Sequence, residues 1–253
     1  MLSKDIINSH FNTPDVELIC LDSVDSTSTR ARELVNSGNV SRLVIVADGQ
    51  TGGRGRNGKS FCSQSGVGVY MSVVLHPDCD FGGAVGVTTA ASVAVSRAVE
   101  RVTGRKIQIK WVNDLYFENK KVCGILCEAV AKNGRVSSVI VGVGINLCES
   151  EFPEELADIA GTLGCDNSLR EPLVAAVADE LFNLRFGDIA EDILNEYREK
   201  SIVIDKTIDY FVNGIKNTAV AVGVDGQGGL IVKKADGTTD ILRSGEITVR
   251  LNA

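Results

Sequence analysis

The 253-residue chain reads as an α+β protein, with a mixed or largely antiparallel sheet and helices over residues 1–200 and a small β-barrel over residues 201–253. Three observations predict this. Strand-like runs rich in Val and Ile are interleaved with two long stretches of helical period. The middle runs are separated by Asn119-Lys120 and Asn133-Gly134, both hairpin-type signals. After Ser201 the composition turns to Val, Ile and Thr, broken by Asn213-Gly214, Asp225-Gly226, Gly228-Gly229, Asp236-Gly237 and Ser244-Gly245, a spacing suited to short strands in a small barrel.

In chain order, Val16 to Leu21 reads as a strand. Asp25 to Ser28 is a capping segment for a helix that ends near Gly38. Leu43 to Ala47 is a short buried strand, and Val67 to Leu75 another. A long helix is expected from Ala84 to Val102, because Thr88, Thr89, Ser92, Ser96, Arg97 and Glu100 make that apolar stretch too polar to span a membrane. Strands follow at Ile107 to Trp111, Leu115 to Phe117, Lys121 to Val130 and Val136 to Ile145. Ser168 to Lys200 returns to helical period, with Leu173, Val177, Leu181, Leu184, Ile189, Ile193 and Tyr197 as its apolar positions.

Composition excludes several classes. The net charge of -7 argues against a broad nucleic-acid surface. MLSKDIINSH lacks the apolar core of a secretory signal, so a cytoplasmic protein that enters no membrane is expected. Seven cysteines without a CxxC pair fit free thiols in a reducing compartment. Cys123 and Cys127 could share a strand face, as small buried hydrophobes or, less simply, as metal ligands without a histidine cluster. With only two histidines, a Ser-His-Asp or Cys-His mechanism is not expected.

The segment of most chemical interest is Gly49 to Phe61, GQTGGRGRNGKSF. Its glycines let backbone N–H groups approach a ligand, and Arg54 and Arg56 supply planar donors matched to carboxylate and phosphate oxygens. Gly53, Gly58, Lys59 and Ser60 also satisfy the GxxxxGK[ST] expression of P-loop NTPases. That motif requires a helix immediately after the lysine, whereas Val67 to Leu75 reads as a strand. An anion-enclosing loop between two strands is the better reading.

Three further segments accompany the loop: DSTS at Asp25 to Ser28, KWVNDLY at Lys110 to Tyr116 running on to KKVCGILCE at Lys120 to Glu128, and VGVGIN at Val141 to Asn146. In this order and at these spacings the four segments resemble biotin protein ligase, from about Val16 to Arg250. The resemblance implies a catalytic domain like those of class II aminoacyl-tRNA synthetases and biotin ligases, followed by an SH3-like barrel. It implies ATP, with Mg2+ carried on it, and biotin as substrates, and a biotin carboxyl carrier protein or domain as acceptor. Family members often pair through the central sheet, so a homodimer is an option. Only about fifteen residues precede the first strand, so no helix-turn-helix module and a ligase without repressor function are expected.

Position by position, the resemblance implies that Ser26, Thr27 and Gln50 meet the ureido head of biotin, with Ser28 also among the residues that bind biotin or its adenylate. Gly53, Arg54, Gly55 and Arg56 would close over biotin and its adenylate. Lys121 would contact the reacting carboxyl and α-phosphate, with Arg54, Arg56 and Asp114 as its catalytic companions. Gly124, Leu126, Gly142 and Gly144 would line the biotin tunnel. Arg54, Arg56, Lys59, Trp111, Asn113 and Asn146 would serve ATP, with Asn113, Asp114 and Asn146 open between ATP, its metal and the incoming lysine, and Glu246 and Arg250 would face the site from the barrel. The metal ligands are unknown. Read without the family, Trp111 is equally a core aromatic, Asp114 a turn cap and Lys121 a hairpin lysine. This chain departs from the family pattern at Ser28 for Asn, Gly52 for Ala, Lys59 for Arg, Phe61 for Trp and Val112 for Pro. A lipoate or octanoate enzyme of the same fold, a P-loop NTPase and a module that binds biotin without turnover are the rival readings.

Overall fold

A computed structural model describes residues 1–38, 40–77, 86–132, 134–212, 214–243, 245 and 247–249. Seven strands form the main sheet: β1 (Glu17–Val24), β2 (Leu43–Gln50), β3 (Gly68–Leu75), β4 (Gln108–Lys110), β5 (Asp114–Phe117), β6 (Lys120–Lys132) and β7 (Arg135–Asn146). Their order is β1-β2-β3-β7-β6-β5-β4. β1 and β2 are parallel, joined through helix α2 (Thr27–Ser37), and the remaining pairs are antiparallel. The mixed sheet expected from the hairpin signals is therefore present.

Strand alternation sorts the apolar side chains onto two faces. Val44, Val46, Val69, Met71, Val73, Val141 and Val143 belong to the large core with helices α3 (Val87–Thr103) and α4 (Arg170–Phe182). Leu43, Ile45, Val74 and Ile140 belong to a smaller cluster with Ala31 of α2. The same phase on the α2 face turns to glycine and serine farther along these strands, where Ser72 pairs with Gly142 and Tyr70 with Gly144, while Gly124 and Leu126 of β6 pair with Gly144 and Gly142. A patch of glycines and Ser72, flanked by Tyr70 and Leu126, results beside the N-terminus of α2.

Several boundaries differ from the sequence expectation. The stretch from Ser168 to Lys200 is two helices, α4 and α5 (Glu191–Lys200), rather than one. Gly187 between them sits at φ 110°, a backbone state that interrupts a helix. The β5–β6 turn has its positive φ values at Glu118 (47°) and Asn119 (63°), one residue earlier than expected. Helix α1 (Lys4–His10) was not anticipated; Ser3 caps it and Ile7 is fully buried. The expected start of α3 at Ala84, and the turn residues Asn133, Asn213 and Ser244, lie outside the described residues.

Five antiparallel strands follow: β8 (Thr207–Val212), β9 (Ile215–Val224), β10 (Leu230–Lys233), β11 (Thr239–Leu242) and β12 (Ile247–Val249), ordered β11-β10-β9-β8-β12. Among the described residues no pairing joins β11 to β12, so the closure expected of a barrel is not part of the described sheet. The small sheet is pinned to the large one by the Trp111 indole N–H, which donates to the Gly228 carbonyl at 3.0 Å. No described helix is long and apolar enough to cross a membrane. The six described cysteines, all but Cys79, are in no disulfide.

Candidate active site

The α2 face of the sheet, the loop after β2 and the end of the small sheet enclose a cavity of about 440 Å³. Every site residue expected from the sequence lines it except Gly53, Glu246 and Arg250. Gly53 lies just behind the wall, where a Cβ would collide with the Phe61 carbonyl oxygen and come within 2.7 Å of Ser63 Oγ. Glu246 and Arg250 lie outside the described residues, although Gly245, Ile247 and Thr248 of the same strand region do reach the cavity.

At one end the lining is polar. Ser26 occupies the N-cap position of α2, yet its side chain makes no capping bond. Thr27 donates to Gln50 Oε1 from its backbone N–H (2.9 Å) and its hydroxyl (3.3 Å). Gln50 Nε2 donates to Ser63 Oγ at 2.9 Å. Ser72 Oγ lies 2.8 Å from Thr27 Oγ1 and 3.0 Å from Ser28 Oγ. A Cβ at Gly142 would sit 2.6 Å from Ser28 Oγ, so a larger residue there would displace that hydroxyl. The glycines at 124 and 144 receive the Phe61 ring, which packs edge-on to Tyr70 with centroids 6.4 Å apart.

At the other end are the cations. Lys121 Nζ is 2.6 Å from Asp114 Oδ1. Arg56 donates to Asn113 Oδ1 at 2.9 Å, and Asn113 Nδ2 donates to the Ile125 carbonyl at 2.7 Å. Arg54 donates to Glu128 Oε1 at 2.8 Å, sharing that oxygen with Arg32 at 3.0 Å. Lys59 also lines the cavity. No helix follows it: Arg56–Gly58 is a single 3-10 turn and the next regular element is β3, so the strand–loop–helix frame of a P-loop is missing among the described residues.

Trp111 is 4% exposed with its N–H taken by Gly228, so it acts here as a core aromatic that shows one edge to the cavity. Its peptide bond to Val112 is cis. Asn146 is held by its Nδ2, which donates to the Gly161 carbonyl at 3.0 Å. That loop runs beside β6, with Lys121 N–H donating to the Ile159 carbonyl at 2.8 Å, and Phe152, Leu156, Ile159 and Ala160 form an apolar wall.

Sequence reasoning missed this wall, along with Ser63, Ser72 and Glu128. The wall has no regular periodicity to announce it. Ser72 had a signal, being a polar residue in the phase of β3 that opposes Gly142. Burial raises the Cys127 thiol to about 11, and drives that of Cys123 up as well, so neither strand cysteine is an activated nucleophile. Among the described residues no group of three or more His, Cys, Asp or Glu side chains could hold a metal.

A mixed sheet thus carries on its glycine-rich face a cavity with hydroxyls and an amide at one end and cations at the other. The chain belongs to the biotin/lipoate A/B protein ligase family, whose model matches residues 20–146. A biotin protein ligase C-terminal domain model matches residues 211–250. Among solved structures it resembles the biotin protein ligase from Aquifex aeolicus in complex with biotin and ATP, at 32% identity and a TM-score of 0.76 over 93% of this chain and 99% of that one. The bifunctional ligase/repressor BirA of Bacillus subtilis is 43% identical over 148 residues, 58% of this chain and 46% of that protein, so the match spans about half the length of this relative. The biotin–[acetyl-CoA-carboxylase] ligase of Mycobacterium tuberculosis is 25% identical over 242 residues, covering 90% of this chain and 88% of that protein.

Proposed function

We propose that the protein joins biotin to ATP, giving biotinyl-5'-adenylate and pyrophosphate, and then transfers the biotinyl group to a lysine of a carrier domain of a biotin-dependent carboxylase. The observation that carries this reading is the two-ended cavity, with Ser26, Thr27, Ser28 and Gln50 at one end and Arg54, Arg56, Lys59 and Lys121 at the other. A bare alkyl acid or a dithiolane would cover the remaining donor and acceptor capacity of those hydroxyls and the amide without matching it, which disfavours octanoate and lipoate.

A carboxylate is already ionised and nucleophilic at neutral pH, so its activation needs no proton acceptor. The barrier is repulsion between two anions, which fixed positive charge in a water-poor cleft reduces. Lys121 and Arg56 neutralise the approaching carboxylate and α-phosphate. One carboxylate oxygen forms the bond to the α-phosphorus as the bond to the bridging oxygen breaks and pyrophosphate leaves. In the second step the lysine ε-amine attacks the acyl carbon and AMP departs with the anhydride oxygen. Phe61 and the wall from Phe152 to Ala160 exclude water, which would otherwise hydrolyse the adenylate. Mg2+ would be held chiefly by the triphosphate and would shield phosphate charge, with Asp114 and Asn146 of the cavity lining as the residues whose oxygens could join its shell.

Residues 1–200 act in this reading as the catalytic unit and 201–253 as a small unit that closes one side of the cavity. The decisive test is biotin-dependent exchange of pyrophosphate into ATP, with lipoate in a parallel assay. Exchange with lipoate but not biotin, or with neither, overturns the proposal.

A further inference from the structure

The Ser28, Ser72 and Thr27 hydroxyls form a chain that ends on the Gln50 amide at the polar end of the cavity, and the direction of donation along it follows from the donors and acceptors available. Thr27 N–H donates to one atom of the Gln50 amide at 2.9 Å, and only the oxygen can accept. The amide's other end agrees, since Nε2 donates to Ser63 Oγ at 2.9 Å and Ser63 in turn donates to the Phe61 carbonyl at 3.1 Å. The Thr27 hydroxyl lies 3.3 Å from the same Gln50 oxygen and can bond it only by donating, because that oxygen only accepts. A hydroxyl has one proton, so Thr27 Oγ1 can only accept from Ser72 Oγ at 2.8 Å. Ser72 has then used its own proton and accepts from Ser28 Oγ at 3.0 Å. The chain of donation then runs Ser28 to Ser72 to Thr27 to Gln50, the one direction that makes all three contacts hydrogen bonds, since the reverse leaves two oxygens facing each other at 3.3 Å without a proton between them.

We infer that Ser72 is a positioning residue that sets this polarity, committing the Ser28 proton inward so that Ser28 presents only lone pairs to the cavity. The head-group site is then one for an acid whose ring carries an N–H donor facing Ser28. Ser72 is fully buried and acts only through its neighbours. Its register between Ile45 and Gly142 holds it in the floor, and Gly142 leaves room for Ser28 above it. The inference rests on the biotin reading and sharpens it, because a cyclic urea offers N–H groups and a dithiolane offers none. It also gives the Ser28 departure from the family's Asn a consequence, since an Asn amide carries its own donors whereas this serine has its single donor engaged.

The test is calorimetric titration of the intact protein with biotin and with two analogues in which one or the other ureido N–H is replaced by oxygen. Unmodified protein should bind one of the analogues about tenfold or more weakly than biotin, because an acceptor facing an acceptor loses a hydrogen bond and repels. In Ser72→Ala the Ser28 hydroxyl can turn its proton outward, so that ratio should fall to about twofold. Ser28→Ala should abolish the discrimination, and the double variant should add nothing. Ser72→Cys, with nearly the same volume and a weak donor, covers the case in which the alanine variant does not fold, and its ratio should also shrink. A packing role alone would weaken biotin and both analogues together and leave the ratio unchanged. Ser72 variants that keep the full ratio, or unmodified protein that binds both analogues as tightly as biotin, overturn the inference. Unmodified protein that does not bind biotin at all overturns the ligase reading beneath it, a distinct result.

Discussion

Arg54, on the loop that covers the cavity, donates to Glu128 Oε1 on β6 at 2.8 Å, and Arg32 of α2 reaches the same oxygen at 3.0 Å. The second oxygen of Glu128 is buried without a partner in the protein. The loop cation is thus docked on the sheet, and Arg32 would keep Glu128 paired were Arg54 to turn to an anionic ligand. Arg54 is 44% exposed, so the bond is worth about 1 kcal/mol at most. Glu128→Gln is expected to raise the rate of tryptic cleavage after Arg54 and Arg56 in unliganded protein by about threefold, an effect that high salt diminishes. Equal cleavage rates would show that Glu128 does not restrain the loop.

Lys121→Ala removes the cation paired with Asp114 at 2.6 Å. Biotin-dependent pyrophosphate exchange should fall by about 100-fold or more, the usual loss when one group aimed at developing charge is deleted. Lys59→Ala should cost far less. The opposite ranking would restore the P-loop reading despite the missing helix.

Gly144→Ala would place a Cβ 2.5 Å from the Phe61 ring. The ring must move into the space above the glycine floor, so biotin affinity should drop about tenfold while the urea midpoint changes little. Adding Phe61→Ala should recover part of that affinity. No recovery would mean that the glycine serves the ligand directly and the ring is a bystander.

Behind the site, Arg170 is 2% exposed and donates to Asp48 Oδ1 at 2.9 Å and to the Gly68 carbonyl at 2.8 Å, tying α4 to β2 and β3. Burial raises the Asp48 carboxyl, but hydrogen bonds from Ser65 and Arg170 and the Arg170 charge outweigh it and hold the pKa below its ordinary value. Arg170→Met strands that carboxylate and should cost about 3 kcal/mol in urea unfolding. Because the folded-state pKa is depressed, the stabilisation is complete above the unfolded carboxylate range and is lost as pH falls through the folded value, below about pH 4. The variant should therefore show a shallower decline of stability in acid than the parent; parallel declines would exclude Asp48 as the source.

The alternation of Val and Ile, the helical periods and the turn residues carry their meaning locally, which is why β1, β2, β3, β6, β7 and the α3 helix could be read from the chain alone. The cation-and-glycine loop was legible for the same reason, since Arg54, Arg56 and the glycines stand together in sequence. Where the Ser168 to Lys200 pattern broke was not legible, because apolar spacing continues through Leu184 and Ile189 while the backbone turns at Gly187.

What lay beyond the chain's own order was partnership across it. Ser72 meets Thr27 and Ser28, Glu128 meets Arg32 and Arg54, and Trp111 meets Gly228, through contacts between residues far apart in sequence. Residue types state what a side chain can donate or accept. Only packing decides which donor faces which acceptor, because a buried polar group must find its partner wherever the fold brings one.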